Sequence, residues 1–312
     1  MENMKSTNQK RRSFLGLTKG LILGAFGMTM ISSCGDQEDA DGNKAKALVI
    51  TAIPDEKHSD QEANYEVLRK YLAEKLEVEV QFSISSSYDA AVERFKNGEV
   101  HLVWFGGYTG VQARNGVPGS RAIAQGDVDP NYKSYFIANK STGLTKSDEF
   151  PTGIKDLTFT FGSKSSTSGR LMPTYFILKE TGMMPDKFFS NPVQFQTVGG
   201  HDATARAVAG GSVQVGVLSY KKYESMIASG EIKKEDAPII WETPDYADYN
   251  LTVHPVLEEM FGEGFIDKLQ KVLVDCEDKD VLNAFLRDDL IPAKNEEFEG
   301  IYEVAKELGM MR

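Results

Sequence analysis

Ser165, Ser166, Thr167, Ser168 and Gly169 set four hydroxyls in succession on a flexible backbone. They follow a short apolar run, Phe159 to Phe161, and a glycine, and they precede Leu171-Met172-Pro173. A helix start carries unpaired N–H groups and the positive end of the macrodipole, so it suits an anion. An ordinary N-cap needs only one Ser or Thr. Four hydroxyls exceed that need and predict an anion-binding turn. Pro173 places the start of the regular helix near Leu171, because proline is best tolerated in a first turn.

Such a turn needs a strand before it and a helix after it, and the chain repeats that unit. Ala47 to Ile53 is a continuous apolar run, the pattern of a buried parallel strand. An amphipathic helix is predicted over 61–76, a strand over Val78 to Ile84, and a helix from Ser85-Ser86-Ser87 through Asn97. Further strands are predicted at Val100 to Phe105, Arg121 to Gln125, Ser134 to Ala138, Phe159 to Phe161, Val193 to Val198 and Val213 to Leu218. Ile239 to Trp241 and Asn250 to Val253 complete the strands, and helices are expected over Phe265 to Cys276 and Glu296 to Leu308. This alternation predicts two doubly wound α/β units with a helical tail. SISSSYD, WFGGYTG, FGSKSSTSG and TVGGHDA all put small or hydroxyl residues just past a strand's carboxyl end. Open α/β sheets bind ligands there, so a cleft lined by helix N-termini is expected.

Residues 1–33 carry Lys5, Lys10, Arg11, Arg12 and Lys19 against Glu2, a net +4, which leaves −15 of the total −11 for the remainder. That acidity argues against nucleic-acid binding and requires an anion site to rely on local donors. Lys10-Arg11-Arg12, the apolar run Phe14 to Ile31 and Ile31-Ser32-Ser33-Cys34 follow the basic, apolar, small order of a signal peptide. The junction resembles a bacterial lipoprotein signal, with Cys34 lipidated, and Arg11-Arg12-Ser13-Phe14-Leu15 resembles a twin-arginine signal. A transmembrane anchor is the alternative, disfavoured by Lys19 and the many glycines. The expected location is outside the cytoplasmic membrane, lipid-anchored, with 34–46 as a flexible tether. Cys276 is then the one remaining thiol, a buried inert residue, so the mature chain has no disulfide. No cofactor or metal is expected, because His58, His101, His201 and His254 lack ligand spacing.

From about Leu48 to Pro255 the chain resembles the phosphate/phosphite/phosphonate-type substrate-binding proteins of ABC importers, most nearly the branch labelled selenate-binding. The blocks that carry the resemblance are LVWFGGYTGVQAR, AIAQGDVD, FIAN, FTFGSKSSTSGRLMP, GGHDAT and TPDYADYN. It implies a type II periplasmic-binding-protein fold, two α/β lobes joined by crossover strands. Lobe one would take 47–136 and 250–312, and lobe two 137–249. It also implies ligand contacts at Ser166, Thr167 and Ser168, at Tyr88 and Tyr132, and at His201 and Asp248. Ser165 and Gly107 are additional candidates. The implied ligand is a small oxyanion, and the implied partners are a membrane permease and its ATPase, with a monomer expected. Family members that take aminophosphonates use an acid just after the strand Val213 to Leu218. Ser219-Tyr220-Lys221 stands there instead, which argues against an aminated ligand.

Serine hydroxyls, tyrosine phenols and His201 are donors to an anion, whereas an ionised Asp248 only accepts. An ionised Asp248 would therefore favour an anion that carries a proton, against sulfate or selenate. A hydrolase built on Ser168, His201 and Asp248 is the enzymatic alternative, and it lacks a G-x-S-x-G elbow. A P-loop is excluded by the spacing around Lys164. A sensor of the same fold feeding a membrane signalling protein remains the other alternative.

Overall fold

The computed structural model describes residues 46–196 and 199–311. The expected leader, Cys34 and the expected tether up to Ala45 lie outside the described residues. Strands β1 (Ala47–Ala52), β2 (Glu79–Phe82), β3 (Leu102–Phe105), β4 (Arg121–Gly126), β10 (Asn250–Val253) and β11 (Leu290–Pro292) form one sheet, in the order β11-β4-β10-β3-β1-β2. β5 (Ser134–Ala138), β6 (Phe159–Phe161), β7 (Gln194–Phe195), β8 (Val215–Ser219) and β9 (Ile239–Glu242) form a second, in the order β7-β6-β8-β5-β9. Each sheet mixes parallel pairs, such as β1 with β2 and β3, with antiparallel ones, such as β10 with β3. Parallel strands must be covered on both faces. The run Leu48, Ile50 and Ala52 is accordingly buried under helices, each large aliphatic contributing about 1.5–3 kcal/mol relative to exposure.

The helices of lobe one, built on the first sheet, are α1 (His58–Leu76), α2 (Tyr88–Lys96), α3 (Gly107–Gly116), α8 (Val256–Phe261), α9 (Phe265–Val274), α10 (Lys279–Asn283) and α11 (Glu299–Glu307). Lobe two carries α4 (Met172–Thr181), α5 (Pro185–Phe188), α6 (Gly200–Ala209) and α7 (Tyr220–Ala228). A π-helical turn, Thr167–Leu171, precedes α4, so the regular helix starts one residue past Leu171. Cys276 lies two residues past α9 and is buried.

Two differences from the sequence reading bear on the cleft. Ser134–Ala138 pairs with β8 and β9, so residues 134–136 belong to the second sheet and the expected break after 136 falls inside a strand. The chain leaves lobe one between Gly126 and Ser134. β11 was not expected; its short run, Leu290-Ile291-Pro292, pairs antiparallel with β4. The two crossovers touch where Tyr132 and Tyr246 pair through their backbones, and where Asp248 N–H donates to the Asp129 carbonyl at 3.0 Å. A fully buried ion pair pins this point. Arg287 Nε and Nη2 both donate to the Asp129 carboxylate, and the guanidinium lies 5.1–5.6 Å from the ring centres of Trp104, Tyr132 and Tyr249.

Candidate functional site

The hydroxyl turn closes over the start of α3. Thr167 Oγ1 accepts the N–H of Tyr108 at 3.0 Å, and Asp248 Oδ1 accepts the N–H of Gly107 at 2.9 Å. Gly106 makes this possible: a Cβ there would lie 2.9 Å from Thr167 Oγ1 and 3.2 Å from Asp248 Oδ1. Ser166 Oγ accepts the N–H of Gly169 at 2.9 Å, and the 166 carbonyl accepts the Leu171 N–H, the wide spacing of a π turn. Ser166 and Thr167 thus each accept from a backbone N–H, and their hydroxyls lie beside Tyr88 and Asp248 respectively. Ser168 Oγ lies 3.5 Å from His201 Nε2, while its carbonyl holds Ser134 Oγ at 2.7 Å.

His201, the second residue of α6, is fixed as a donor. Its Nδ1 accepts the N–H of Ser219 at 3.4 Å. A backbone N–H can only donate, so the ring proton of the neutral imidazole sits on Nε2, the nitrogen facing Ser168. Tyr249 completes the chain: its hydroxyl lies 3.2 Å from Nε2 and donates to Asp55 Oδ2 at 3.1 Å. Burial, and then the nearby Lys222 charge, push the His201 pKa down to about 3, so the ring is neutral, and its one proton, on Nε2, lies between the Tyr249 and Ser168 hydroxyls.

Two buried polar side-chain atoms at this place lack a partner, the Tyr88 hydroxyl and Asp248 Oδ2. Tyr88 opens α2, and burial raises its phenol far above its ordinary range. Burial raises Asp248 to about 7, against the pull of its bond from Gly107. At neutral pH it is therefore partly the acid, able to donate as well as to accept. Because Oδ1 already accepts from Gly107, the proton belongs on Oδ2. A cavity of about 90 Å³ opens beside Tyr88, lined among others by Ser86, Ser87, Ser163 and Gly200.

The family described as ABC transporter, phosphonate, periplasmic substrate-binding protein matches residues 50–298. The chain belongs to this family. It is 35% identical over 274 residues to the probable ABC transporter phosphite binding protein PhnD1 of Prochlorococcus marinus, covering 86% of this chain and 91% of that one. It is 29% identical over 260 residues to the phosphate-import protein PhnD of Mycolicibacterium smegmatis, covering 77% and 76%. The solved structure of the Prochlorococcus PhnD1 in complex with methylphosphonate superposes with a TM-score of 0.80, covering 85% of this chain and 99% of that one.

As a member of this family the protein is a substrate-binding component rather than an enzyme, and its geometry agrees. The acceptor side of His201 faces the Ser219 amide and not Asp248, so Ser168, His201 and Asp248 do not line up as a relay. The structure brings Tyr88, Ser166, Thr167, Ser168, His201 and Asp248 together. Two of the expected residues are otherwise engaged: Ser165 bonds the Asp89 carboxylate of α2, and the Tyr132 hydroxyl bonds Ser219 Oγ. Tyr249, Asp55 and Gly106 were missed. Asp55 and Gly106 stand just past the carboxyl ends of β1 and β3, a position that could have marked them.

Proposed function

We propose that this chain captures a small, singly protonated phosphorus oxyanion, of phosphite or methylphosphonate size, and presents it to a membrane permease with its ATPase. The observation that carries this reading is the unmatched pair flanking the hydroxyl turn. The buried Tyr88 hydroxyl and Asp248 Oδ2 have no hydrogen-bond partner, and burial raises the Asp248 carboxyl to about 7. A buried polar atom without a partner costs about 1–3 kcal/mol, which a ligand carrying acceptor oxygens and one proton would recover. Tyr88 and the serine and threonine hydroxyls supply neutral donors, with the Nε2–H of His201 beside them and shared with Tyr249. The relatives' phosphite, phosphate and methylphosphonate support the ligand class.

An aminated substituent is disfavoured. Ser219 is bonded to Tyr132, the Tyr220 ring packs on Tyr132 at 4.8 Å, and Lys221 and Lys222 follow. The leader ending at Cys34 supports a lipid anchor on the outer side of the membrane. Calorimetry with phosphite, methylphosphonate, phosphate, 2-aminoethylphosphonate, sulfate and selenate tests the reading. Phosphite or methylphosphonate should bind most tightly; preference for the aminophosphonate, or for selenate, would overturn it. Metabolic labelling with palmitate, lost in Cys34→Ala, tests the anchor.

A further inference from the structure

Asp55, Glu56 and Lys57 follow β1 in lobe one and lie against the starts of α6 and α7 in lobe two. The Asp55 carbonyl accepts the N–H of His201 at 3.1 Å, and Lys57 N–H donates to Asp202 Oδ2 at 3.3 Å. Lys222 Nζ donates to Glu56 Oε2 at 2.7 Å, their side chains only 9% and 10% exposed. The same ammonium lies 3.9 Å from Asp202 Oδ1. The fit leaves no slack at the backbone: a Cβ on Gly200 would lie 2.5 Å from the Asp55 carbonyl oxygen.

Lys222 is thus a buried cation that lobe two carries into a ring of carboxylates drawn from both lobes. In an opened cleft Lys222 and Glu56, on different lobes, would part and leave Asp55 and Glu56 adjacent on lobe one without that counter-charge. Lys222 makes no bond to Tyr88, to the hydroxyl turn or to Asp248. The segment it grips nevertheless holds the His201 amide through the Asp55 carbonyl and reaches the imidazole through Tyr249.

We propose that Glu56 and Lys222 form a clasp across the two lobes, so that Lys222 is a positioning residue that sets how long a ligand stays without touching it. This rests on the capture reading above. A buried pair favours the closed form only while both partners are present, and removing one leaves the other desolvated and unpaired. A contact made after encounter acts on release more than on association.

The test is release of radiolabelled methylphosphonate by Lys222→Met, Glu56→Gln and Lys222→Arg proteins, with small-angle scattering of each ligand-free protein. Lys222→Met and Glu56→Gln should each release ligand about tenfold faster or more, with association within about twofold of wild type. Lys222→Arg should recover most of the retention, and the double variant should lose little beyond either single one. Unchanged release, or an equal loss in the arginine variant, would overturn the clasp. Should the wild type fail to retain methylphosphonate, the capture reading falls, and scattering alone judges the clasp. A larger radius of gyration in Lys222→Met then supports it, and an unchanged one overturns it.

Discussion

Thr167 Oγ1 and the backbone N–H of Tyr108 meet at 3.0 Å across the two lobes. The hydroxyl turn of one lobe therefore sits on the helix start of the other, and under the proposed function one side chain would serve both closure and the anion. Thr167→Val keeps the shape and removes both roles. It should weaken methylphosphonate binding at least about tenfold, or about 1.4 kcal/mol, whereas Thr167→Ser should stay near wild type. Isothermal calorimetry decides between them, and equal affinities would remove Thr167 from the site.

Asp248 gives binding a defined response to pH. Its pKa of about 7 means that the free site holds a proton below neutrality and loses it above. A complex that needs one proton shared between Asp248 and the anion should weaken about tenfold per pH unit once both are ionised. Asp248→Asn should flatten that slope, as affinities measured between pH 6 and 9 would reveal. In the ligand-free protein the raised pKa favours the fold fully below the ordinary value of 3.8. That contribution fades as pH rises through about 7.

His201 behaves in the opposite sense. Its pKa lies near 3, below the ordinary 6.5, so its contribution to stability is complete above 6.5 and is lost as pH falls toward 3. Nitrogen-15 spectra of the imidazole should show a protonated Nε2 and a bare Nδ1 throughout pH 5 to 8. A charged ring or the other tautomer at pH 7 would contradict the Ser219 contact.

Gly200 has a φ of +49° and no room for a side chain beneath Asp55. Gly200→Ala adds strain of about 1 kcal/mol from the left-handed backbone alone, and its methyl collides with Asp55 when the lobes meet. The variant should melt within a few degrees of wild type yet bind methylphosphonate far more weakly. Full affinity would show that the seam yields.

The Asp129–Arg287 pair should matter chiefly to stability. Arg287→Met leaves a carboxylate buried without its cation, a loss of about 3–5 kcal/mol. Chemical denaturation should report it directly, and a loss below about 1 kcal/mol would mean that Asp129 finds another partner.

What the sequence made legible was local. The strands before SISSSYD, WFGGYTG and FGSKSSTSG could be read because apolar runs and small-residue turns are written in consecutive residues. The surplus of hydroxyls over capping needs marked the turn, although Ser165 and Ser166 proved to be tied down by Asp89 and Gly169. What could not be read depends on distant pairings. β11 is three residues long and becomes a strand only beside β4. Asp248 reads as an acceptor until burial shifts its proton, and Tyr249 becomes part of the site only once Asp55 and His201 lie on either side of its hydroxyl.

Trp104 stacks on Tyr249 with ring centres 5.4 Å apart and planes 20° from parallel, and Tyr249 bonds both Asp55 and His201. Trp241, the other indole of the chain, is buried among Phe136, Phe150 and Phe176 in lobe two. One fluorophore is thus wired to the seam while the other is insulated from it. Closure that moves Tyr249 would therefore register in Trp104 and not in Trp241, so the chain's own two indoles offer a way to follow it without an attached dye.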